Sequence, residues 1–382
     1  ALLDYSRPSF LDIRTRSRLG KVVSEPGGGY SVSIISEPRY VIAEKCILCG
    51  RCAEVCPQSL PDPYQAGLSE RKAVYLPAER CVPESYAVEK GIYCTGCGKC
   101  ESACPTDAID LSRETVSETI SADAMILATG MSLYDPSLST EYGYGKFPNV
   151  VSGLEMERMT SPAGPGEGNP HRISDGKVPS KIAWLQCVGS RDEDHDFCSS
   201  YCCGYATRQA VLAGQLLPST EMRIFMMDDR VFGRNYSRTY DPLREEYGIE
   251  LEHCRISVLR QDEETKDLIL QINGEDGTVR EESFGMVVLS VGGTGSVTNK
   301  ELKELLDLDS DEHGFIRTET FTPLDTARPG IFAAGSVAGP SDLSDSVTRG
   351  SAAAARVCSY LGLGMNGSGK QTEGETPGTG DG

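Results

Sequence analysis

The chain of 382 residues carries 37 Lys and Arg against 56 Asp and Glu, a net charge of −19, with 39% hydrophobic positions and 15 cysteines. Its length suits two or three domains at roughly 150 residues each, and its acidity argues against a nucleic-acid backbone or an anionic membrane surface as partner. No run of about 18 apolar residues occurs, which excludes a spanning helix.

In chain order, Ala1 to Tyr5 reads as strand and shows none of the basic, apolar and small-residue segments of a signal peptide. The chain is therefore expected to be processed or N-terminally incomplete. Gly27 to Gly29 mark a hairpin-like turn. Two cysteine runs follow, Cys46-x-x-Cys49-x-x-Cys52-x-x-x-Cys56-Pro57 and Cys94-x-x-Cys97-x-x-Cys100-x-x-x-Cys104-Pro105. This doubled spacing is the bacterial ferredoxin signature. Three thiolates three residues apart on a tight turn cap one cube, while the start of a helix carries the fourth away to the other. One cluster is therefore assigned to Cys46, Cys49, Cys52 and Cys104, and the second to Cys94, Cys97, Cys100 and Cys56. Gly50, Gly96 and Gly98 allow backbone amides to approach the sulfides. Two zinc knuckles are the competing reading, but zinc sites close with paired CxxC units or His, and the trailing prolines favour iron-sulfur.

Ala124 to Gly130 reads as a buried strand ending beside a dinucleotide, with Thr129 and Gly130 as candidate flavin contacts. The Pro/Gly-rich stretch 161–175 is expected to be an exposed loop. From Lys181 the sequence KIAWLQCVG predicts a buried strand, followed by a cysteine loop, a helix from about Cys202 to Leu217 and a strand from Met222 to Asp229. This is a strand-turn-helix-strand unit like half of a dinucleotide-binding domain, but Cys187-Val188-Gly189 replaces the Gly-x-Gly-x-x-Gly turn. Cys187, Cys198, Cys202 and Cys203 are expected to hold a third cluster where a pyrophosphate would lie, with NAD(P)H binding lost. A structural zinc is the alternative occupant, and Cys202-Cys203-Gly204 also spells the CCG box of disulfide-reducing subunits, though without the further CxxC that box requires. His195, among Asp192, Glu193, Asp194 and Asp196, is read as solvated. Asp228 and Asp229 are read as loop caps. Cys81, Cys254 and Cys358 are left as ordinary thiols.

Val287 to Gly293 echoes the first flavin-domain strand. Gly330 to Ser336 is a second buried strand and Gly turn, leading to an Ala-rich helix of about Ser346 to Tyr360, whose N-terminus would stabilise negative charge on a reduced flavin. Gly335, Ser336, Ser346 and Val347 are the candidate contacts there. No Gly-x-Gly-x-x-Gly follows a strand anywhere from Ala1 onward. Residues 363–382 are Gly-rich without apolar periodicity and are expected to be disordered.

In the resulting division, residues 1–40 open a β-rich flavin domain and 41–113 form an inserted α+β ferredoxin domain. Residues 114–180 continue the flavin domain and connect it onward, 181–290 make a nicotinamide-domain-like unit with the third cluster, and 291–362 complete the flavin domain before the tail.

Taken in order, EPRYVIAEKCILCGRCAEVCP, GLSERKAVYLP, CTGCGKCESACPTDAIDL, EYGYGKFPNVVSGLEMERM, QCVGSRDEDHDFCSSYCC and GIFAAGSVAGPSDLSDSV resemble the family of heterodisulfide reductase A subunits. The resemblance covers about residues 1 to 360. It implies an α/β, thioredoxin-reductase-like flavoprotein with two dinucleotide domains and an inserted two-cluster ferredoxin domain, holding FAD and three [4Fe-4S] clusters. It implies an electron-bifurcating role: paired electrons split between a disulfide and ferredoxin. The implied partners are heterodisulfide reductase B- and C-like subunits, a hydrogenase or formate dehydrogenase type donor and ferredoxin, in a homodimer within a larger cytoplasmic complex. Arg208 stands where the family has Lys near the flavin ring, keeping the charge but not the easily donated proton. Ser336 stands where related flavoproteins have Asp. The competing readings are a relay without bifurcation, an NAD(P)H-dependent flavin reductase and a zinc-stabilised scaffold.

Overall fold

A computed structural model describes residues 11–363, apart from 79, 92, 232–242, 244, 275 and 276. The expected strand at Ala1 to Tyr5 and all but the first residue of the expected tail lie outside the described residues. The chain opens with β1 (Ser17–Ser24) and β2 (Tyr30–Ser36), an antiparallel hairpin. Its turn uses Gly28 and Gly29 at φ of 97° and 81°, left-handed backbone that favours glycine.

After β2 the chain leaves the sheet and builds the cysteine-rich module. This comprises α1 (Arg51–Glu54), β3 (Ser59–Pro61), β4 (Glu70–Lys72), β5 (Val74–Tyr75), β6 (Ala87–Val88) and α2 (Lys99–Ala103). Its two ends are tied to each other, with Ile42 N donating to Ala108 O at 2.7 Å and Asp110 N to Tyr40 O at 3.0 Å. The module has its own core of Val41, Val74, Val88, Ala108, Ile109 and Leu111 around buried Cys52 and Cys100. The chain then returns as β7 (Val116–Ala122), pairing with β2 from Tyr30↔Ala122 to Ser36↔Val116. An insertion whose ends meet leaves the host sheet undisturbed.

Next come β8 (Met125–Leu127), β9 (Met131–Leu133), β10 (Val150–Ser152) and α3 (Gly153–Thr160). The main unit follows as β11 (Lys181–Val188), α4 (Cys202–Leu216), β12 (Glu221–Met226) and β13 (Glu250–His253). A meander of β14 (Leu259–Gln261), β15 (Leu268–Asn273) and β16 (Val279–Phe284) leads to β17 (Met286–Val291). Strands β10, β17, β11, β12 and β13 form, in that order, one parallel sheet of five. Both its faces are covered, which is why β11 and β17 read as nearly continuous apolar runs. On one face Ile182, Trp184, Met286 and Val288 pack against Met156 of α3 and Ala206, Ala210 and Ala213 of α4. On the other, Ala183, Leu185, Val287 and Leu289 meet Leu268, Leu270 and Phe284 of the meander.

The chain closes with β18 (Gly293–Gly295), α5 (Val297–Leu306), β19 (Ile331–Ala333) and α6 (Leu343–Tyr360). β19 lies parallel to β8, and β18 antiparallel to β9. A third core joins this end to the beginning, combining Tyr30 and Val32 with Leu127, Leu302, Leu306, Ile331 and Val337.

Residues 150–160 depart from the expected division. They lie in the five-stranded sheet and on its helical face, not with the connection 114–180, because Val150–Ser152 pairs with Val287–Leu289. A three-residue strand has too little periodicity to announce its partner. α3 starts with a capping box, Ser152 Oγ accepting from Glu155 N at 3.2 Å while the Glu155 carboxylate accepts from Ser152 N at 2.5 Å. Ser152→Ala is expected to cost about 1 kcal/mol, seen as a lowered thermal midpoint with unchanged cofactor content.

Candidate iron-sulfur and flavin sites

The cysteine module contains two small pockets. One is lined by Cys46, Cys49, Cys52 and Cys104 with Val41, Ile47, Tyr86 and Ile109. The other is lined by Cys56, Cys94, Cys97 and Cys100 with Val74, Lys99 and Leu111. The structure thus brings each expected set of four together, including the crossed members Cys104 and Cys56. The crossing follows from the short helices. Gly50 and Gly98, at φ of 78° and 68°, start α1 and α2, which lie against each other and carry each run's last cysteine to its neighbour's cavity.

Backbone amides favour the thiolate form at several of these sulfurs. Cys97 is held below the ordinary thiol pKa chiefly by the Lys99 amide. At Cys104 burial opposes ionisation, but the Ala108 and Thr106 amides outweigh it, and the Ala108 N donates to Sγ at 3.2 Å. Cys52 is pushed up to about 11, mainly by burial. Among the described residues no three His, Cys, Asp or Glu side chains converge as a cage for a single ion. The sulfurs instead surround cavities with mostly apolar walls, a donor set and setting that fit a polynuclear cluster.

The third cysteine set forms around the C-terminal end of β11. Cys187 takes a φ of 62° and Gly189 one of 65°, turning the chain off the sheet at the point where a dinucleotide-binding unit has its Gly turn. The loop is anchored from within: Ser190 Oγ donates to Phe197 O at 2.8 Å, and buried Ser199 Oγ accepts from Gly293 N at 3.0 Å. Cys202 and Cys203 then open α4, both buried. Burial pushes the Cys187 thiol up to about 11, with Cys203 and Cys198 adding to the effect and Arg191 opposing it. Cys202 is raised by burial and then by Cys203, Cys187 and Cys198. Cys187 and Cys202 thus each feel the charge of Cys198 and Cys203. Several thiols sharing a buried site ionise together only with shared positive charge, which a metal cluster provides.

A Cβ at Gly189 would fall within the Tyr134 ring. Gly189→Ala combines a left-handed penalty of about 1–2 kcal/mol with overpacking of about 1–3 kcal/mol, and is expected to lower the thermal midpoint by several degrees. A midpoint within a degree of the parent contradicts this packing.

Two sequence readings of this loop need correction. His195 is half-buried rather than freely solvated. Its ring packs edge-on against Tyr134 at 5.4 Å between centroids and faces His313 at 6.0 Å, with Nδ1 3.4 Å from Asp192. Asp228 is not a loop cap but an ion-pair partner of Arg191 and Arg230. It ties the cysteine loop to the end of β12 and keeps its own carboxyl below the usual range, mainly through Arg230.

The expected flavin residues gather at the ends of β8 and β19. A Cβ at Gly130 would sit 3.9 Å from Ser336 Oγ, and one at Gly335 3.7 Å from Ser346. Both glycines have positive φ, 73° and 68°. α6 begins at Leu343, three residues before the expected start, because Asp342 caps it by accepting from Asp345 N at 2.8 Å. Ser346 therefore lies in its first turn, while Val347 is 62% exposed. Asn299 escaped sequence reading. Buried on α5, it accepts from Thr129 Oγ1 at 3.1 Å and donates to Gly314 O at 3.1 Å, fixing the hydroxyl from a distance in sequence that no local motif spans. Arg349 similarly donates to Gly335 O at 3.2 Å. These small residues and a capped helix N-terminus fit one wall of a nucleotide cradle. Arg208 makes no hydrogen bond to these residues. It lies exposed on α4 and makes no hydrogen bond or ion pair among the described residues.

Comparison with known proteins agrees with the cysteine chemistry. A family model described as a 4Fe-4S binding domain matches residues 39–59 and 93–110. The fold and site thus define an iron-sulfur protein with a ferredoxin-type domain in a mixed α/β host. The chain is 37% identical over 336 residues to the A subunit of the H(2):CoB-CoM heterodisulfide,ferredoxin reductase of Methanothermobacter thermautotrophicus, covering 86% of this chain and 50% of that protein. It is 40% identical over 344 residues to an iron-sulfur A subunit of the CoB-CoM heterodisulfide reductase of Methanopyrus kandleri, covering 88% and 52%. Over this stretch the chain is similar to heterodisulfide reductase A subunits, and it spans about half the length of these curated relatives. Among solved structures it is similar to T. acidophilum thioredoxin reductase at 15% identity and a TM-score of 0.41, covering 65% of this chain and 68% of that one. No helix among the described residues is long and apolar enough to cross a membrane.

Proposed function

We propose that the chain is an iron-sulfur flavoprotein electron-transfer subunit that passes electrons between FAD, three [4Fe-4S] clusters and partner proteins of the heterodisulfide reductase type. The observation that carries the reading is the pair of crossed four-cysteine cavities in one insert, set in a chain whose sequence carries four further cysteines at Cys187, Cys198, Cys202 and Cys203. Two ferredoxin-type clusters in one small module are a wire, not a structural device. The clusters supply one-electron steps when bound, and a flavin supplies the exchange between electron pairs and single electrons.

The protein's own role is to hold the sulfurs and set their surroundings. Cys46, Cys49, Cys52 and Cys104 would hold one cluster, Cys94, Cys97, Cys100 and Cys56 the second, and Cys187, Cys198, Cys202 and Cys203 the third. Thr129, Gly130, Gly335, Ser336 and Ser346 would line the flavin, with the α6 N-terminus favouring its reduced, anionic state. In the same proposal the chain works in the cytoplasm as a homodimer, with B- and C-like subunits, a hydrogenase or formate dehydrogenase type donor, and ferredoxin.

Bifurcation and simple relay are separated by electron balance in the assembled complex. Bifurcation predicts that ferredoxin is reduced only while disulfide is reduced, in equal electron numbers. Either reduction running alone points to relay.

A further inference from the structure

Beneath the third cysteine set lie two polar side chains with nothing to bind. Gln186 on β11 has both Nε2 and Oε1 buried without a partner, and so does Ser290 Oγ on β17. Ser290 is 0% exposed. A buried carboxamide or hydroxyl without a hydrogen bond costs about 1–3 kcal/mol. Two such groups on adjacent strands, following the apolar positions Ile182, Trp184, Met286 and Val288 on the same two strands, call for a ligand.

Strand periodicity shows where they stand. Trp184 pairs with Val288, Leu185 with Leu289 and Val188 with Val291, so the register shift between Leu185 and Val188 leaves Gln186 and Cys187 together opposite Ser290. Side chains alternate between faces. Ile182, Trp184, Met286 and Val288 all lie on the face covered by α4, while Leu185 and Leu289 lie on the other. Gln186 and Ser290 continue the α4 face, toward the end where α4 begins with Cys202 and Cys203. Tyr205, one turn into α4, connects the two: its hydroxyl donates to Val291 O at 3.4 Å and interacts with Ser290 and with both cysteines. Cys187 is the residue after Gln186.

We infer that Gln186 and Ser290 are positioning residues that donate hydrogen bonds to sulfur atoms of the cluster held by Cys187, Cys198, Cys202 and Cys203, and thereby raise its reduction potential. The inference rests on the third-cluster reading given above. Nε2 and Oγ each bring a proton, and a sulfur that accepts one carries its added electron more easily. Gln186 Oε1, which a cluster cannot satisfy, is left for a bridging water.

The test is an EPR-monitored redox titration of the full chain, purified without oxygen, against Gln186→Leu and Ser290→Ala. The parent chain first shows whether a third cluster signal exists. About eight irons and no third signal would end the reading and the inference together. With the third signal present, each variant is expected to lower its reduced-to-oxidised ratio at the parent midpoint by up to about tenfold, equivalent to about 59 mV for one electron. The signals of the ferredoxin-type module should stay in place. Unchanged third midpoints in both variants would overturn the inference while leaving the cluster standing. Loss of the third signal in Ser290→Ala, which removes only a hydroxyl, would also overturn it, because the residue would then be structural.

Discussion

Replacing Cys104 by Ser is expected to remove the cluster of the first cysteine run, not that of the run in which Cys104 lies. The cavity lined by Cys46, Cys49 and Cys52 takes its fourth sulfur from Cys104. The cavity of Cys94, Cys97 and Cys100 takes its fourth from Cys56. Iron should fall by about four per chain, and the surviving EPR spectrum should be that of the second cluster. Cys56→Ser should give the reciprocal result. The two variants combined should leave neither cluster, although six of the eight cysteines remain. If Cys104→Ser behaves like Cys97→Ser and differs from Cys49→Ser, the crossing is wrong. The effect is large because these clusters sit in the core of their module. Cys52 and Cys100 are buried among Val41, Val74, Val88 and Leu111, so losing a cluster also opens that core.

The second large effect concerns Cys202→Ala. It should remove one cluster, about four irons, and leave both signals of the ferredoxin-type module intact. The sulfur is buried at the first turn of α4, beside Cys187, Cys198 and Cys203. His195, the nearest imidazole in sequence, packs against the Tyr134 and His313 rings. α4 should survive, because Ala206, Ala210 and Ala213 still pack against Trp184. If iron content and all cluster signals are unchanged in Cys202→Ala, the third cluster is refuted and the cysteines of this loop need another account.

The cysteine chemistry was legible because its determinants are local. Ligand spacing, a positive-φ glycine and a trailing proline all lie within a dozen residues, and the structure brings the two expected ferredoxin-type sets of four together. The long strands were legible for a similar reason, since β11 and β17 are buried on both faces and read as apolar runs. What escaped depends on partners distant in sequence. His195 sits in a run of acids that reads as solvent-facing, and only the arrival of Tyr134 and His313 covers part of its ring. Asn299 is 170 residues from the Thr129 it fixes. Val150–Ser152 shows no pattern until Val287–Leu289 pairs with it. The start of α6 was misplaced because 341–346 offers several Ser and Asp residues, any of which could cap a helix, and tertiary packing chose Asp342.

The measurement that tests the central claim most directly is the iron, sulfide, zinc and flavin content of the chain purified without oxygen. The account predicts about twelve irons with matching sulfide, from three cubes of four, one flavin and no zinc. Zinc in place of iron at the cysteines, or iron without sulfide, would contradict it.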